Sequence, residues 1–118
     1  MYKKFLLLIL MIFSLVSFQP LGAIFTNDPV RRGQELVLNV NIDNDLNYKI
    51  KDMQVRAFVY DLGEVFSSNE FDVGRGDTVT SRLNWEVPED IPLGEYVIKV
   101  SASHDRFRHS KHIFIEVI

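Results

Sequence analysis

The sequence predicts an all-β fold: an antiparallel sandwich of about seven short strands, preceded by an N-terminal signal helix. Three observations predict it. Past Thr26, apolar and polar residues alternate with a period of two, the mark of strands with one buried and one wet face. Clusters of Asn, Asp, Gly and Pro interrupt the alternation at the spacing of a sandwich. Beyond the first 23 residues no window carries the 3.6-residue apolar repeat of an amphipathic helix.

The N-terminus reads as a secretory leader. Lys3 and Lys4 precede an apolar stretch from Phe5 to Phe18, and Pro20 stands before Leu21-Gly22-Ala23. A basic start, an apolar middle and a small residue at the end make up the layout of a signal peptide. The apolar stretch is short beside the roughly 20 residues that a bilayer span needs. Residues 1–23 are therefore expected to be a signal segment cleaved after Ala23, with 24–118 as the domain. Leu21 is larger than the small residue usual at its position, so a retained signal anchor stays open. The expected location is extracytoplasmic: secreted, at the cell surface or periplasmic, and membrane-bound only through the N-terminal segment if it is uncleaved. There is no Cys, which excludes both a lipid anchor on cysteine and a disulfide framework. Removing 23 of the 118 residues leaves 95, enough for one domain to stand on its core.

The strands follow in order. Glu35 to Asp43 places Leu36, Leu38, Val40 and Ile42 on one face, and Asn44-Asp45-Leu46-Asn47 ends the run with turn formers. Met53 to Tyr60 alternates Met53, Val55, Ala57 and Val59 against Gln54, Arg56, Phe58 and Tyr60. A shorter run from Glu64 to Ser67 and another around Phe71 to Val73 read as edge strands or a loose crossover. Gly74-Arg75-Gly76-Asp77 is a turn by composition, although Arg75-Gly76-Asp77 also spells an adhesive tripeptide. Thr78 to Val87 alternates through Val79, Ser81, Leu83 and Trp85 until Pro88, which has no ladder donor. Tyr96 to Ser103 follows, then a polar link from His104 to Ser110, then a last strand from Lys111 to Ile118.

The segment from Trp85 to Val100, with Trp85, Val87-Pro88, Pro92, Gly94, Tyr96, Ile98 and Val100 at fixed offsets, is the most distinctive in the chain. It resembles the E–F corner of immunoglobulin-like modules of prokaryotic surface proteins, those called CARDB or NEW3-like. The alternating runs at Leu36 to Asn44 and Val55 to Gly63 resemble the first half of the same modules. The resemblance implies an immunoglobulin-like sandwich with a tyrosine corner, in which Tyr96 turns its hydroxyl back across Pro92 and Gly94. It also implies adhesive or accessory binding, although such modules come in tandem or beside an enzyme and this chain holds one copy.

Candidate sites are few. Arg106-Phe107-Arg108 places an aromatic between two guanidiniums in the polar link, a composition favoured at binding hot spots, and it is the expected binding loop. His104, Asp105, His109 and His112 lie close together, but their spacing matches no closed metal site and Arg106, Arg108 and Lys111 would repel a cation. Asp43-Asn44-Asp45-Leu46-Asn47 begins like a calcium loop and then fails, with Tyr48 where Gly is required and Gln54 where Glu should stand. Trp85 shares its phase with Leu83 and Val87 and is read as core. No Gly-rich phosphate loop, nucleophile elbow or placed carboxylate pair is present, so neither enzymatic activity nor a cofactor nor a metal is expected. The net charge of −3 becomes −5 without Lys3 and Lys4, which argues against nucleic acid as a partner.

What remains is an exported binding or adhesion module that recognises a protein or cell-surface polymer through end loops or a sheet face, with self-association open. The alternative is a structural subunit of a surface assembly whose Ile24 to Arg32 or Lys111 to Ile118 pairs with a neighbour's sheet edge.

Overall fold

The computed structural model describes residues 19–105 and 107–118. They form eight strands: β1 (Leu21–Thr26), β2 (Glu35–Asp43), β3 (Ile50–Val59), β4 (Glu64–Ser67), β5 (Phe71–Val73), β6 (Thr78–Glu86), β7 (Gly94–His104) and β8 (Phe107–Val117). One sheet has the order β1-β2-β6 and the other β4-β3-β7-β8, with β5 also pairing β3. Every strand pairing is antiparallel. The all-β, two-sheet expectation holds, with eight strands in place of about seven. The expected signal helix falls on residues 1–18, outside the described residues.

Period-two patterning becomes one core between the two sheets. Leu36, Leu38, Val40 and Ile42 of β2 are fully buried, and they face Val55, Ala57 and Val59 of β3 and Ile98 and Val100 of β7 across the interior. Burying side chains of this size contributes roughly 1.5–3 kcal/mol each.

The boundaries that differ from the expected ones have local causes. Strand β3 begins at Ile50, three residues before Met53, because its pairing with β5 slips between those residues. Asp52 takes a positive φ of 56° there, and its N–H donates to Oδ1 of Asp72 at 3.1 Å. The extra residue turns both Ile50 and Met53 inward, so simple alternation fails across Lys51-Asp52. The expected polar link from His104 to Ser110 is instead the end of a long hairpin, paired out to His104 with Phe107.

Strand β1 is the element the sequence hides. Leu21-Gly22-Ala23, read as the end of the signal segment, form its first half. Leu21 is 3% exposed and opposes Ile42. Its N–H donates to Nδ1 of His109 at 3.3 Å, and Nζ of Lys111 donates to the Gly22 carbonyl at 3.0 Å. Burial lowers the pKa of His109 from its ordinary value, and the charge of Lys111 adds to the effect; both favour the neutral ring, the form that can accept this bond. After Asp28-Pro29 the chain crosses to the other sheet, where Val30 bridges Val117 in parallel. A chain starting at Ile24 should therefore be less stable than one starting at Gln19 by about 2–4 kcal/mol, from a vacated Leu21 site and the loss of these two hydrogen bonds and of that from the Asp43 N–H to the Pro20 carbonyl. Urea denaturation of the two would show it.

Candidate functional site

The two outer faces differ in chemistry. Over the three-stranded sheet the exposed rows are amide, hydroxyl and acidic, with Arg82 and Phe25 beside them: Thr80 donates to Oδ1 of Asn41 and Thr78 to the carboxylate of Asp43. Over the five-stranded sheet they are aromatic and cationic.

Register builds that second face row by row. Val65, Phe58, Lys99 and His112 stand side by side across β4, β3, β7 and β8. The next row brings Ser67, Arg56, Ser101 and Ser110 together, and the row beyond it Gln54, Ser103 and Arg108. On the other side of Phe58 lie Tyr60, just past the end of β3, and the pair Val97 and Phe114. Phe58 meets Tyr60 edge to face at 5.2 Å between ring centroids, and Tyr60 stacks on His112 at 5.7 Å with its hydroxyl 2.9 Å from Nε2. Phe114, Val65 and Tyr60 are 61%, 60% and 45% exposed. A groove of about 250 Å³ runs past Val65 and Tyr60, lined by these two with Arg56, Phe58, Lys99, Ser101, Ser103 and Arg108. Three cations line it and no carboxylate does. Among the described residues the one ion pair joins Lys49 and Asp72, both outside this groove.

The expected site triplet is divided. Arg108 is exposed and lines the groove. Phe107 points to the opposite side of β8, half-buried, with its ring 5.9 Å from that of His104. Arg106 lies outside the described residues. The same alternation sends His109 and His112 to opposite faces, so the imidazoles diverge. Among the described residues no group of three or more His, Cys, Asp or Glu is placed to hold a metal. Asn44, in the stretch that begins like a calcium loop, turns inward and is 2% exposed. Arg75 and Gly76 form a tight turn closed by the Asp77 N–H on the Gly74 carbonyl at 3.0 Å.

At the opposite end of β7, the Tyr96 hydroxyl donates to the Pro92 carbonyl at 2.5 Å, and Gly94 between them takes a φ of 137° that a side chain would strain. Tyr96→Phe should cost about 1–1.5 kcal/mol, the ordinary value of one such bond, and leave the groove unchanged. Thermal unfolding reads the cost.

Sequence reading does not single out Arg56, Phe58, Tyr60, Lys99 or Phe114 for binding, and it weighs His112 only as a metal ligand. Their signal is weak: two aromatics and a cation on the wet side of one strand, with the other cations 43 and 52 positions further on.

No protein family matches the sequence, and no curated protein matches it. Among solved structures, the chain is similar to the alkylpurine DNA glycosylase AlkC of Pseudomonas fluorescens, bound to DNA containing an abasic site analog. The TM-score is 0.63 at 17% identity, over 82% of this chain and 29% of that one, so this chain spans less than a third of its neighbour's length. That neighbour is an enzyme bound to DNA, and it corrects two expectations: that the chain is no enzyme, and that nucleic acid is no partner. Missing motifs and net negative charge do not exclude either, because a fold of this shape occurs there in an enzyme on DNA. A charge summed over the chain also averages away one basic face. The likeness itself carries the fold, and it assigns no catalytic residue and no DNA contact here.

Proposed function

We propose that this chain is an immunoglobulin-like interaction module that binds its partner on the outer face of the five-stranded sheet. The carrying observation is the cationic and aromatic groove, open to solvent and without a carboxylate, in a chain of net charge −3. Exposed rings beside uncompensated cations are the composition of recognition surfaces, since both give up water for a partner at a gain. The Tyr96 corner and the Val30–Val117 crossover support the immunoglobulin-like reading and its kinship with CARDB and NEW3-like surface modules. Lys3, Lys4 and the apolar run after them support export.

Site-specific photo-crosslinking in producing cells tests this. A photoreactive residue at Val65, beside the groove, should yield a discrete adduct. The same residue at Arg82, exposed on the three-stranded sheet, should yield none. Equal labelling from both faces, or none from Val65, would overturn the assignment.

A further inference from the structure

We propose that the ligand of this face is a single-stranded nucleic acid, its phosphates held by Arg56, Lys99 and Arg108 and its bases laid on Tyr60 and Phe114. The inference rests on the interaction-face reading above and deepens it.

The face combines the two components that single-strand binders use, a basic track for the backbone and aromatic rings for unstacked bases. The track spans three neighbouring strands. With strands about 4.8 Å apart and alternate residues about 6.8 Å apart, Lys99 sits roughly 8 Å diagonally from Arg56, and Arg108 roughly 14 Å further on across β8. The three therefore form a band across β3, β7 and β8, with Ser101 and Ser103 between them. Hydrogen bonding leaves the band's charge in place: Nε of Arg56 donates to neutral Gln54, and Ser101 and Ser110 bond each other at 2.8 Å. Of the acidic groups on this face, Glu95 and Glu116 oppose each other beyond Val97 and Phe114, and Asp52 and Asp72 lie past Gln54 on the β3–β5 side, Asp72 in its ion pair with Lys49. Both pairs would repel a phosphate backbone and so confine the footprint to the band between them.

The rings select the strandedness. Phe114 is 61% exposed and Tyr60 45%, with one face of the Tyr60 ring covered by His112, so both leave ring surface open to a base. A duplex keeps its bases stacked on each other and offers rings of this kind nothing, and an open sheet face does not enter a groove as a helix does. An acidic peptide would satisfy the cations and leave the rings without a planar partner. A single strand satisfies both.

The test is fluorescence anisotropy of labelled 12-mer oligo-dT and oligo-U with the purified full chain, beside a duplex, heparin and poly-glutamate. Binding of the single strands should weaken with salt at a log–log slope near −2, about −0.7 for each of three phosphates. Arg56→Glu and Lys99→Glu should each weaken it tenfold or more and flatten the slope. Phe114→Ala should weaken it about fivefold with the slope unchanged, and Arg82→Glu should leave it as it was. Thermal melts of the four variants, all altered at solvent-facing positions, should match the parent's.

Single strands bound no better than duplex, or bound equally by Arg56→Glu, would overturn the inference. If heparin or poly-glutamate binds in an Arg56- and Lys99-dependent way while the oligonucleotides do not, the nucleic-acid assignment fails and the interaction face stands. No binding of any polyanion, together with no Val65 adduct, removes both.

Discussion

Replacing Asn44 with Asp should cost the fold about 3–5 kcal/mol at pH 7, although the two side chains have nearly the same shape. Asn44 is 2% exposed at the end of β2. Its Nδ2 donates to the carbonyls of Tyr48, Val73 and Gly74 at 2.9, 3.1 and 3.1 Å, and its Oδ1 accepts from the Leu46 N–H at 3.0 Å. Two hydrogens thus serve three acceptors, one of them shared. The amide ties together the β2–β3 connection and the turn before β6, segments 29 and 30 residues apart in sequence. A carboxylate would set its own lone pairs against three carbonyl oxygens and leave a buried charge without a counterion.

The pH dependence follows in sign. Desolvation and the carbonyls would raise the introduced carboxyl's pKa in the folded state above its unfolded value of about 3.9. The neutral form is the one the fold tolerates, so the deficit is smallest below the unfolded pKa and grows as pH rises toward 7. Asn44→Ala, which leaves the carbonyls unpaired without adding a charge, should cost about 2–3 kcal/mol with no such pH term. Chemical denaturation of both variants and the parent at pH 4 and pH 7 separates the two effects. An Asn44→Asp variant as stable as the parent at pH 7 would show that water reaches this amide.

The role of Asn44 shows where sequence reading ends. A cluster of Asx residues announces a turn, and the Leu46 N–H on Oδ1 is the local bond such a turn makes. The bonds to Val73 and Gly74 depend on which distant turn the fold brings there, and no local pattern encodes that. The strands divide in the same way. Those of β2, β4 and β5 are legible to the residue, because a face against the core forces alternation. Strand β1 is not, because its first half shares the apolar, small-residue composition of a leader end. The groove is the least legible of all. Its cations come from β3, β7 and β8, and cross-strand neighbours carry no sequence signature until the register is known. Arg108 was found for its company with Arg106 and Phe107, whereas what gives it a role is its place on the same face as Lys99 and Arg56.

Trp85 connects that face to the core, and Trp85→Ala should cost about 3–5 kcal/mol. It stands on β6 in the three-stranded sheet, 6% exposed, and its ring stacks on Phe66 of β4 in the other sheet at 5.8 Å and 5°. Its Nε1–H donates to Oε2 of Glu64 at 2.5 Å, also on β4. Strand β4 is only four residues long and is an edge, paired to β3 from Arg56 to Val59. Four pairs on one side give little hold, so the indole supplies much of what fixes β4 against the body of the domain. Losing it vacates a large buried volume and frees the edge strand together. Val65, between Glu64 and Phe66 on the other side of β4, lines the groove, so the damage should reach the face. Trp85→Phe keeps most of the apolar contact with Phe66 but loses the donor to Glu64, and about 1–2 kcal/mol is expected for it. Hydrogen exchange provides the localised measurement. In Trp85→Ala the amides of β4 should lose protection beyond the global loss, while those in the centre of β7, paired on both sides, should fall only with overall stability. Uniform loss across β4 and β7 would mean that Trp85 stabilises the sandwich as a whole and does not hold β4 in particular.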